Sequence, residues 1–265
     1  MKTRILSAIL ALVILVPIFI HGGLIFEITV YILSILGLKE FLAVKNKKKE
    51  LPTFIKFISY IILGLFLLLS TNTTSVFMID YRIVAGLFIT LLLPAVLYHD
   101  RKKYSINDAF YLIGGIFFIA ISLSLLLLIR ENSLSVFIYL FVIAIMTDTF
   151  AYFTGFLIGR HKLLASVSPK KTWEGMIGGT VFGTFIGVMF YVVVINPTIS
   201  LPLIIIATLF LSIIGQFGDL VFSSIKRHFN VKDFSNIMPG HGGVLDRLDS
   251  IIFIMLGFTF FIGLL

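Results

Sequence analysis

Nine long apolar runs constrain this 265-residue chain more than any other feature. They lie at about residues 5–20, 24–44, 54–70, 76–97, 107–129, 134–158, 174–195, 201–222 and 248–265. A helix needs about 20 predominantly apolar residues to cross a bilayer. The chain is 59% hydrophobic and 13% charged, whereas soluble domains are roughly 45–50% apolar and about 25% charged. The sequence therefore predicts an all-α, polytopic integral membrane protein with about nine transmembrane helices.

Lysine and arginine are concentrated in every second connection between these runs. The basic connections include residues 45–49, 101–103 and 160–171, whereas Arg82 and Arg130 are the only cations of the alternate set. Because cytoplasmic loops carry the excess of Lys and Arg, the pattern predicts a cytoplasmic N-terminus and an external C-terminus. The same rule accounts for the net charge of +8, so nucleic acid is not an expected partner.

The character of the chain changes along its length. Residues 1–70 predict about three N-terminal membrane helices, and 71–130 predict about two middle ones, both without recognisable chemistry. From residue 146 onward ionisable side chains enter the spans and the cytoplasmic loops lengthen. We therefore expect residues 131–265, with about four helices and their cytoplasmic loops, to be the catalytic part.

Glycine recurs every fourth residue in the seventh apolar run, at Gly175, Gly179, Gly183 and Gly187. Small residues at this spacing lie on one helix face and allow a second backbone to approach closely. The pattern predicts a helix-packing face rather than a binding site.

Among the carboxylates inside the predicted spans, Asp148 and Asp219 are the two candidates for a functional charge. A charge at a helix centre in lipid costs about 3 kcal/mol, so each needs a partner or a task. Ser223, Lys226 and Arg227 follow Asp219 at spacings that place all four on about the same helix face. Two interpretations remain open: a ligand site on this stripe, or a buried ion pair between Asp219 and one of the two cations.

The connection before the last run carries two further carboxylates, Asp246 and Asp249, one helical turn apart. They are either partners of the helix dipole or, with Asp219, an oxygen-ligand set suited to Mg²⁺. Gly242 and Gly243 precede them and permit turns that expose backbone N–H groups to an anion.

His241, beside these glycines, either contacts phosphate or acts as a proton donor, or it is a plain turn residue. The chain has no cysteine, which excludes a thiolate-bound metal.

Before the seventh run, Pro169 predicts a turn, and Lys170 and Lys171 lie next to a predicted helix N-terminus. Cations are unfavourable at that end of a helix dipole, but they are reasonable if an anion lies between them and the helix. The alternative is that they only mark the cytoplasmic side.

The segments 224–227, 232–233 and 239–249 together resemble the signature of the phosphatidate cytidylyltransferases, also called CDP-diacylglycerol synthases. In this chain they read Ser-Ile-Lys-Arg, Lys-Asp and Pro-Gly-His-Gly-Gly-Val-Leu-Asp-Arg-Leu-Asp. Segments 148–160 and 168–175 also resemble family segments. The resemblance is specific over about residues 145–250.

The resemblance implies transfer of the cytidylyl group of CTP to phosphatidate with Mg²⁺, and leaves room for a second cation. It implies a homodimer in the inner cell membrane with its active site on the cytoplasmic side. The implied metal ligands are Asp219, Asp246 and Asp249, and the implied catalytic residues are Asp219, Asp246, Lys226 and Arg227. The implied substrate-binding residues are Lys170, Lys171, Thr172, Ser224, Lys232, His241, Gly242, Gly243 and Arg247.

Three other classes of membrane protein compete with this interpretation. A transporter also carries carboxylates in its spans, but no internal repeat is visible here. A CDP-alcohol phosphotransferase would carry an Asp-Gly-x-x-Ala-Arg run, which this sequence lacks. A CTP-dependent polyprenol or phytol kinase is closer in chemistry, and it would transfer the terminal phosphoryl group instead.

Overall fold

The structure, a computed structural model, describes residues 2–71, 81–98, 102–195, 198–238, 240 and 242–264, without the side chains of 2–8, 70 and 71. The described residues form nine α-helices and one hairpin. The helices are α1 (Lys2–His21), α2 (Gly23–Lys48), α3 (Thr53–Thr71), α4 (Tyr81–Leu97), α5 (Ile106–Asn132), α6 (Leu134–Ile158), α7 (Trp173–Phe190), α8 (Leu201–His228) and α9 (Leu245–Phe258). The hairpin strands are β1 (Lys162–Leu164) and β2 (Ser168–Thr172), and a π-helical turn, Tyr191–Ile195, follows α7.

The chain is an all-α membrane protein apart from this short hairpin. Among the described residues, α5, α6, α8 and α7 with its π-helical turn are long and apolar enough to cross a membrane. Shorter apolar helical stretches lie at Ile9–His21, Thr53–Leu69 and Tyr81–Leu97. The number of nine crossings and the orientation of the termini stay predictions.

Two helices differ from the predicted apolar runs. Helix α8 continues to His228, six residues past the predicted end at 222, because its last turn is polar on one face and hydropathy alone ends the run too early. Helix α9 covers only Leu245–Phe258 of the predicted 248–265. Fourteen residues span about 21 Å, less than the roughly 30 Å of the hydrocarbon core.

The prediction of a turn at Pro169 was wrong. Pro169 lies in β2, and the turn is formed by residues 165–167, where the Val167 N–H donates to the Leu164 carbonyl over 3.1 Å. Both strands of a two-stranded hairpin are edges, so the missing N–H of a proline is tolerated there. Strand β2 ends at Thr172, and α7 begins at the next residue, Trp173.

The contacts of the chain divide it into two compact units. The first contains residues 1–128 and 233–245, and the second contains 129–232 and 246–265. The boundary thus falls inside the first turn of α9, between Leu245 and Asp246. The proposed three-segment division along the chain stays a prediction.

A buried carboxylate organises the basic connection of the first unit. Asp108 accepts from Lys45 over 2.6 Å and from Lys49, and it also accepts the hydroxyl and backbone N–H of Ser105. Burial, with the charge of Asp108, raises the pKa of the neighbouring Tyr104 phenol. Some of the cations that mark this connection in the sequence are therefore neutralised locally.

The predicted glycine face of α7 is confirmed in the second unit. Gly175, Gly179, Gly183 and Gly187 are all buried. A Cβ at Gly179 would lie 2.7 Å from the backbone carbonyl oxygen of Thr147 in α6, and one at Gly175 would be equally close to that of Ala151. The glycines allow α6 and α7 to pack with their backbones almost in contact.

Candidate active site

Glycines also bring α8 and α9 together in the second unit. A Cβ at Gly218 would lie 2.7 Å from the backbone carbonyl oxygen of Asp249, and one at Gly215 would lie 2.9 Å from Cδ1 of Ile254. Any larger side chain would separate the helices. Close approach at these two glycines places Asp219 of α8 beside the acidic first turns of α9.

Two lysine–carboxylate pairs follow from this packing. Nζ of Lys171, at the end of the hairpin, lies 2.5 Å from Oδ2 of Asp219, and Nζ of Lys226 lies 2.6 Å from Oδ1 of Asp246. The side chains of the first pair are 27% and 30% exposed, and those of the second only 10% and 5%. The first pair is thus accessible, whereas the second is buried.

These pairs bear on the ion-pair interpretation of the polar stripe on α8, and the ligand-site interpretation stays a prediction. An ion pair of Asp219 with Lys226 or Arg227 was the alternative. The structure pairs Asp219 with Lys171, and it pairs Lys226 with Asp246 from α9. Ser223 does lie on the same face as Asp219, as its spacing predicts, and donates to Oδ1 over 3.3 Å. The spacing along α8 correctly predicted that Ser223 contacts Asp219, but it did not predict that Lys226 pairs with Asp246 of α9.

A cavity of about 490 Å³ opens beside Asp219. Its polar lining includes the carboxylates of Asp148 and Asp219 and three lysines, Lys162, Lys170 and Lys171. Tyr152 and Phe156 of α6 also line it and are 69% and 76% exposed. One cavity therefore combines cations, carboxylates and an exposed aromatic border.

The inner wall of the cavity is held by a polar side chain between helices. Nε2 of Gln216 donates to Oγ1 of Thr180 over 2.8 Å and to the carbonyl of Met176 over 3.3 Å. Lys171 in turn contacts the backbone carbonyl of Gln216 at 3.5 Å. Gln216 thus ties α8 to α7 at the level where Lys171 meets Asp219.

The third predicted carboxylate ligand, Asp249, is buried on α9. Its Oδ1 accepts the backbone N–H of Ser250 over 2.9 Å, and the Ser250 hydroxyl donates to Oδ2 of Asp148 over 3.3 Å. Asp148 and Asp219 line the same cavity, and the Ser250 contact links Asp148 to the start of α9 beside Asp249. Asp148, for which the sequence offered no role, therefore belongs to this acidic group.

Carboxylate oxygens are the donor type that Mg²⁺ prefers. In the part of the chain that the structure describes, no three His, Cys, Asp or Glu side chains converge closely enough to form a complete metal cage. Mg²⁺ does not need one, since it is usually held by one or two carboxylates together with waters and substrate phosphates. Asp219 lines the cavity and is 30% exposed, whereas the Asp246 side chain is 5% exposed and paired with Lys226; their assignment as metal ligands stays a prediction.

Two predicted site residues have structural contacts. The Thr172 hydroxyl accepts the Gly175 N–H over 3.1 Å and caps α7. Arg227 donates to the carbonyl of Val167 over 3.2 Å and to that of Val231 over 3.1 Å. It therefore holds the hairpin turn against the end of α8.

Apart from the glycines before α9, the remaining predicted residues that the structure describes are exposed. Lys170 is exposed at the cavity, and the side chains of Ser224, Lys232 and Arg247 are exposed as well. His241 lies outside the described residues. The assignment of these residues to substrate binding stays a prediction.

The glycine loop before α9 belongs to the first unit. Gly242 has φ of +86° and forms a two-way backbone bridge with Met238, at 2.9 and 3.1 Å. Its N–H is thus already donated within the loop. Gly243 is buried against the carboxylate of Glu40.

Glu40 was not singled out in the sequence. It is 1% exposed, and it accepts hydrogen bonds from Ser235, Val244 and Leu245. Its signal was a carboxylate inside the second apolar run, at 24–44, where a charge also needs a partner.

Comparison with known proteins gives the family of the chain. The family model described as the cytidylyltransferase family matches residues 2–265. A phosphatidate cytidylyltransferase of Staphylococcus saprophyticus is 35% identical over 256 residues, and one of Staphylococcus aureus (strain COL) is 37% identical over 257 residues. Each match covers 96% of this chain and 96% of the relative. Because both the family model and these relatives cover nearly the whole chain, the protein belongs to the cytidylyltransferase family.

Proposed function

We propose that this protein transfers the cytidylyl group of CTP to the phosphate of phosphatidate, giving CDP-diacylglycerol and pyrophosphate for phospholipid synthesis. The relatives named phosphatidate cytidylyltransferase support the reaction. The observation that carries the proposal is the cavity that joins three lysines and two carboxylates to the exposed aromatic border of Tyr152 and Phe156. Such a cavity suits an anionic headgroup attached to an apolar tail.

The reaction is a nucleotidyl transfer at phosphorus. A phosphate oxygen of phosphatidate attacks the α-phosphorus of CTP, the bond from that phosphorus to the oxygen bridging to the β-phosphate breaks, and pyrophosphate leaves. The second pKa of a phosphate monoester is about 6, so the attacking oxygen is largely ionised at neutral pH. The main obstacle is therefore the repulsion between two anions rather than the removal of a proton.

The lysines of the cavity would reduce this repulsion. Lys170 and Lys171 lie on the strand that leads into α7, and Lys162 on the paired strand. Cations fixed where negative charge gathers stabilise a transition state more than solvent can, and holding both substrates in place contributes further. We assign Arg227 and Arg247 to the same electrostatic task at the end of α8 and the start of α9, and we assign Lys226 to holding the Asp246 carboxylate.

Asp219 and Asp246 are our first choices as Mg²⁺ ligands, with Asp249 next. When bound, the metal would neutralise charge on the phosphates of the substrates. Lys171 and Lys226 hold the two carboxylates in fixed positions, at 2.5 and 2.6 Å. Asp148 lines the same cavity as Asp219 and would be a ligand for a second cation.

The distribution of basic residues supports an inner-membrane enzyme with nine spans, a cytoplasmic N-terminus and an external C-terminus. The site residues that follow α6 and α8 then face the cytoplasm, where CTP is available. A homodimer is proposed from the family resemblance alone.

Release of pyrophosphate from CTP by the purified protein in detergent tests the function. We expect turnover to require phosphatidate and Mg²⁺, whereas the appearance of CDP would identify a lipid kinase instead. Asp219→Asn should abolish turnover while the protein remains folded. Asp246→Asn should abolish turnover too, but with a lowered Tm, because it removes one partner of the buried pair with Lys226.

Glu50→Gln is the matched control, because this side chain is 84% exposed and lies outside the site. Turnover near the wild-type rate in Asp219→Asn or Asp246→Asn would refute the assignment of the metal ligands.

A further inference from the structure

We infer that Glu40 of α2 is a positioning residue that fixes the start of α9, and with it the metal-binding carboxylate of Asp246. The inference deepens the proposed function and rests on it, since it presupposes that Asp246 acts in the reaction. It assigns a task to the N-terminal part of the chain.

Both oxygens of the Glu40 carboxylate are used within the first unit. Oε1 accepts the Ser235 hydroxyl over 2.6 Å and the Val244 N–H over 2.8 Å, and Oε2 accepts the Leu245 N–H over 2.9 Å. Only 1% of Glu40 is exposed. A buried carboxylate is tolerated when it is hydrogen-bonded, and here three donors come from one short segment.

These contacts replace a local helix cap. The first N–H groups of a helix have no partner inside the helix, and an N-terminal side-chain oxygen normally accepts one of them. Leu245 is the first residue of α9, and the side chain of the preceding Val244 has no acceptor. Glu40 supplies the acceptor from a distant helix, and its negative charge is favourable at that end of the dipole.

Gly243 makes the approach of Glu40 sterically feasible. A Cβ at this position would lie 2.5 Å from Oε2 and 2.6 Å from Cδ of Glu40. One turn earlier on α2, a Cβ at Gly37 would lie 3.2 Å from Cδ2 of Leu245. The start of α9 is therefore fitted against Gly37 and Glu40, so Gly243 is required for packing whether or not it also cradles phosphate.

The consequence for chemistry follows from chain connectivity. Asp246 directly follows Leu245, whose N–H is bound by Glu40. A displacement of the first turn of α9 would move the Asp246 carboxylate with it. Since misplacing a reacting group by about 1 Å can cost about a hundredfold in rate, losing the Glu40 contacts should affect turnover and not only stability.

Hydrogen exchange and kinetics on full-length Glu40→Gln protein in detergent test the inference. A glutamine can replace Oε1 as an acceptor, but its amide nitrogen cannot accept the Leu245 N–H. We expect exchange of the Val244 and Leu245 amides to become about tenfold to a hundredfold faster. We also expect kcat to fall at least about tenfold and half-saturation to need more Mg²⁺.

Glu27→Gln provides a matched control, because it makes the same change on α2 about 20 Å away, near the N-terminal end of the helix. It should leave both readouts at the wild-type values. A purely structural role for Glu40 would reduce the yield of folded protein but would not change the Mg²⁺ dependence of the folded fraction.

Ser235→Ala covers the case in which Glu40→Gln does not fold. It removes one donor and keeps the carboxylate, so a smaller increase in exchange at the same amides is expected. Unchanged exchange in the folded variant would overturn the inference, and so would faster exchange with unchanged kcat and Mg²⁺ dependence. Wild-type turnover without Mg²⁺ would count against the proposed metal site instead. In that case the kcat and the amide exchange of Glu40→Gln would still decide the role of Glu40.

Discussion

Replacing Lys226 by methionine removes the cation of the most buried ion pair in the candidate site. Lys226 and Asp246 have side chains that are only 10% and 5% exposed, with 2.6 Å between Nζ and Oδ1. Methionine has a similar length and keeps the apolar contacts of the lysine stem. The change therefore isolates the loss of the charge from the loss of volume.

The expected loss of stability is large because the remaining carboxylate stays buried. Removing one partner of a buried pair typically costs about 3–5 kcal/mol. For a chain of this size each kcal/mol lowers Tm by roughly 2–4 °C, so Tm should fall by about 6–20 °C. Turnover should be lost as well, since the Asp246 carboxylate would no longer be held by Lys226.

Thermal unfolding of the purified variants in detergent measures this effect. Lys232→Met is the matched control for stability, because Lys232 is exposed, and its Tm should stay close to that of the wild type. The double variant Lys226→Met/Asp246→Leu should recover most of the lost stability, since apolar replacement of a whole buried pair is often neutral or stabilising, but it should remain inactive. A Tm of Lys226→Met within about 2 °C of the wild type would refute this account of the pair.

Two further changes test the packing and capping of α7. Gly183→Ala places a Cβ about 3.0 Å from Cα of Thr147 and should destabilise the protein by about 1–3 kcal/mol. Gly114→Ala is the control, because nothing lies within 4 Å of a Cβ there, and it should be neutral or slightly stabilising. Equal Tm values for the two variants would contradict the close approach of α6 and α7. Thr172→Ala removes the cap of α7 and should cost about 1 kcal/mol, measured as a Tm decrease of a few degrees; no decrease would show that the cap contributes nothing.

Local pattern was sufficient for the helices but not for their ends. Hydropathy located the core of α8, yet its last turn, which carries Lys226 and Arg227, lies beyond the apolar run. The short α9 likewise begins earlier and ends earlier than its apolar run. Hydropathy reports burial in lipid, whereas a helix end depends on capping and on the partners of its polar face.

The sequence by itself determined the class of the protein, because an all-α membrane chain follows from composition and the glycine face of α7 follows from a four-residue period. It also carried the signature residues that resemble the family. Only the tertiary structure decided the partners of the charged side chains. Lys171 pairs with Asp219 and Lys226 with Asp246, and Glu40 accepts a backbone N–H from 205 residues away. The physical reason is that period and hydropathy describe one helix at a time, whereas these contacts depend on how closely the glycines let separate helices approach.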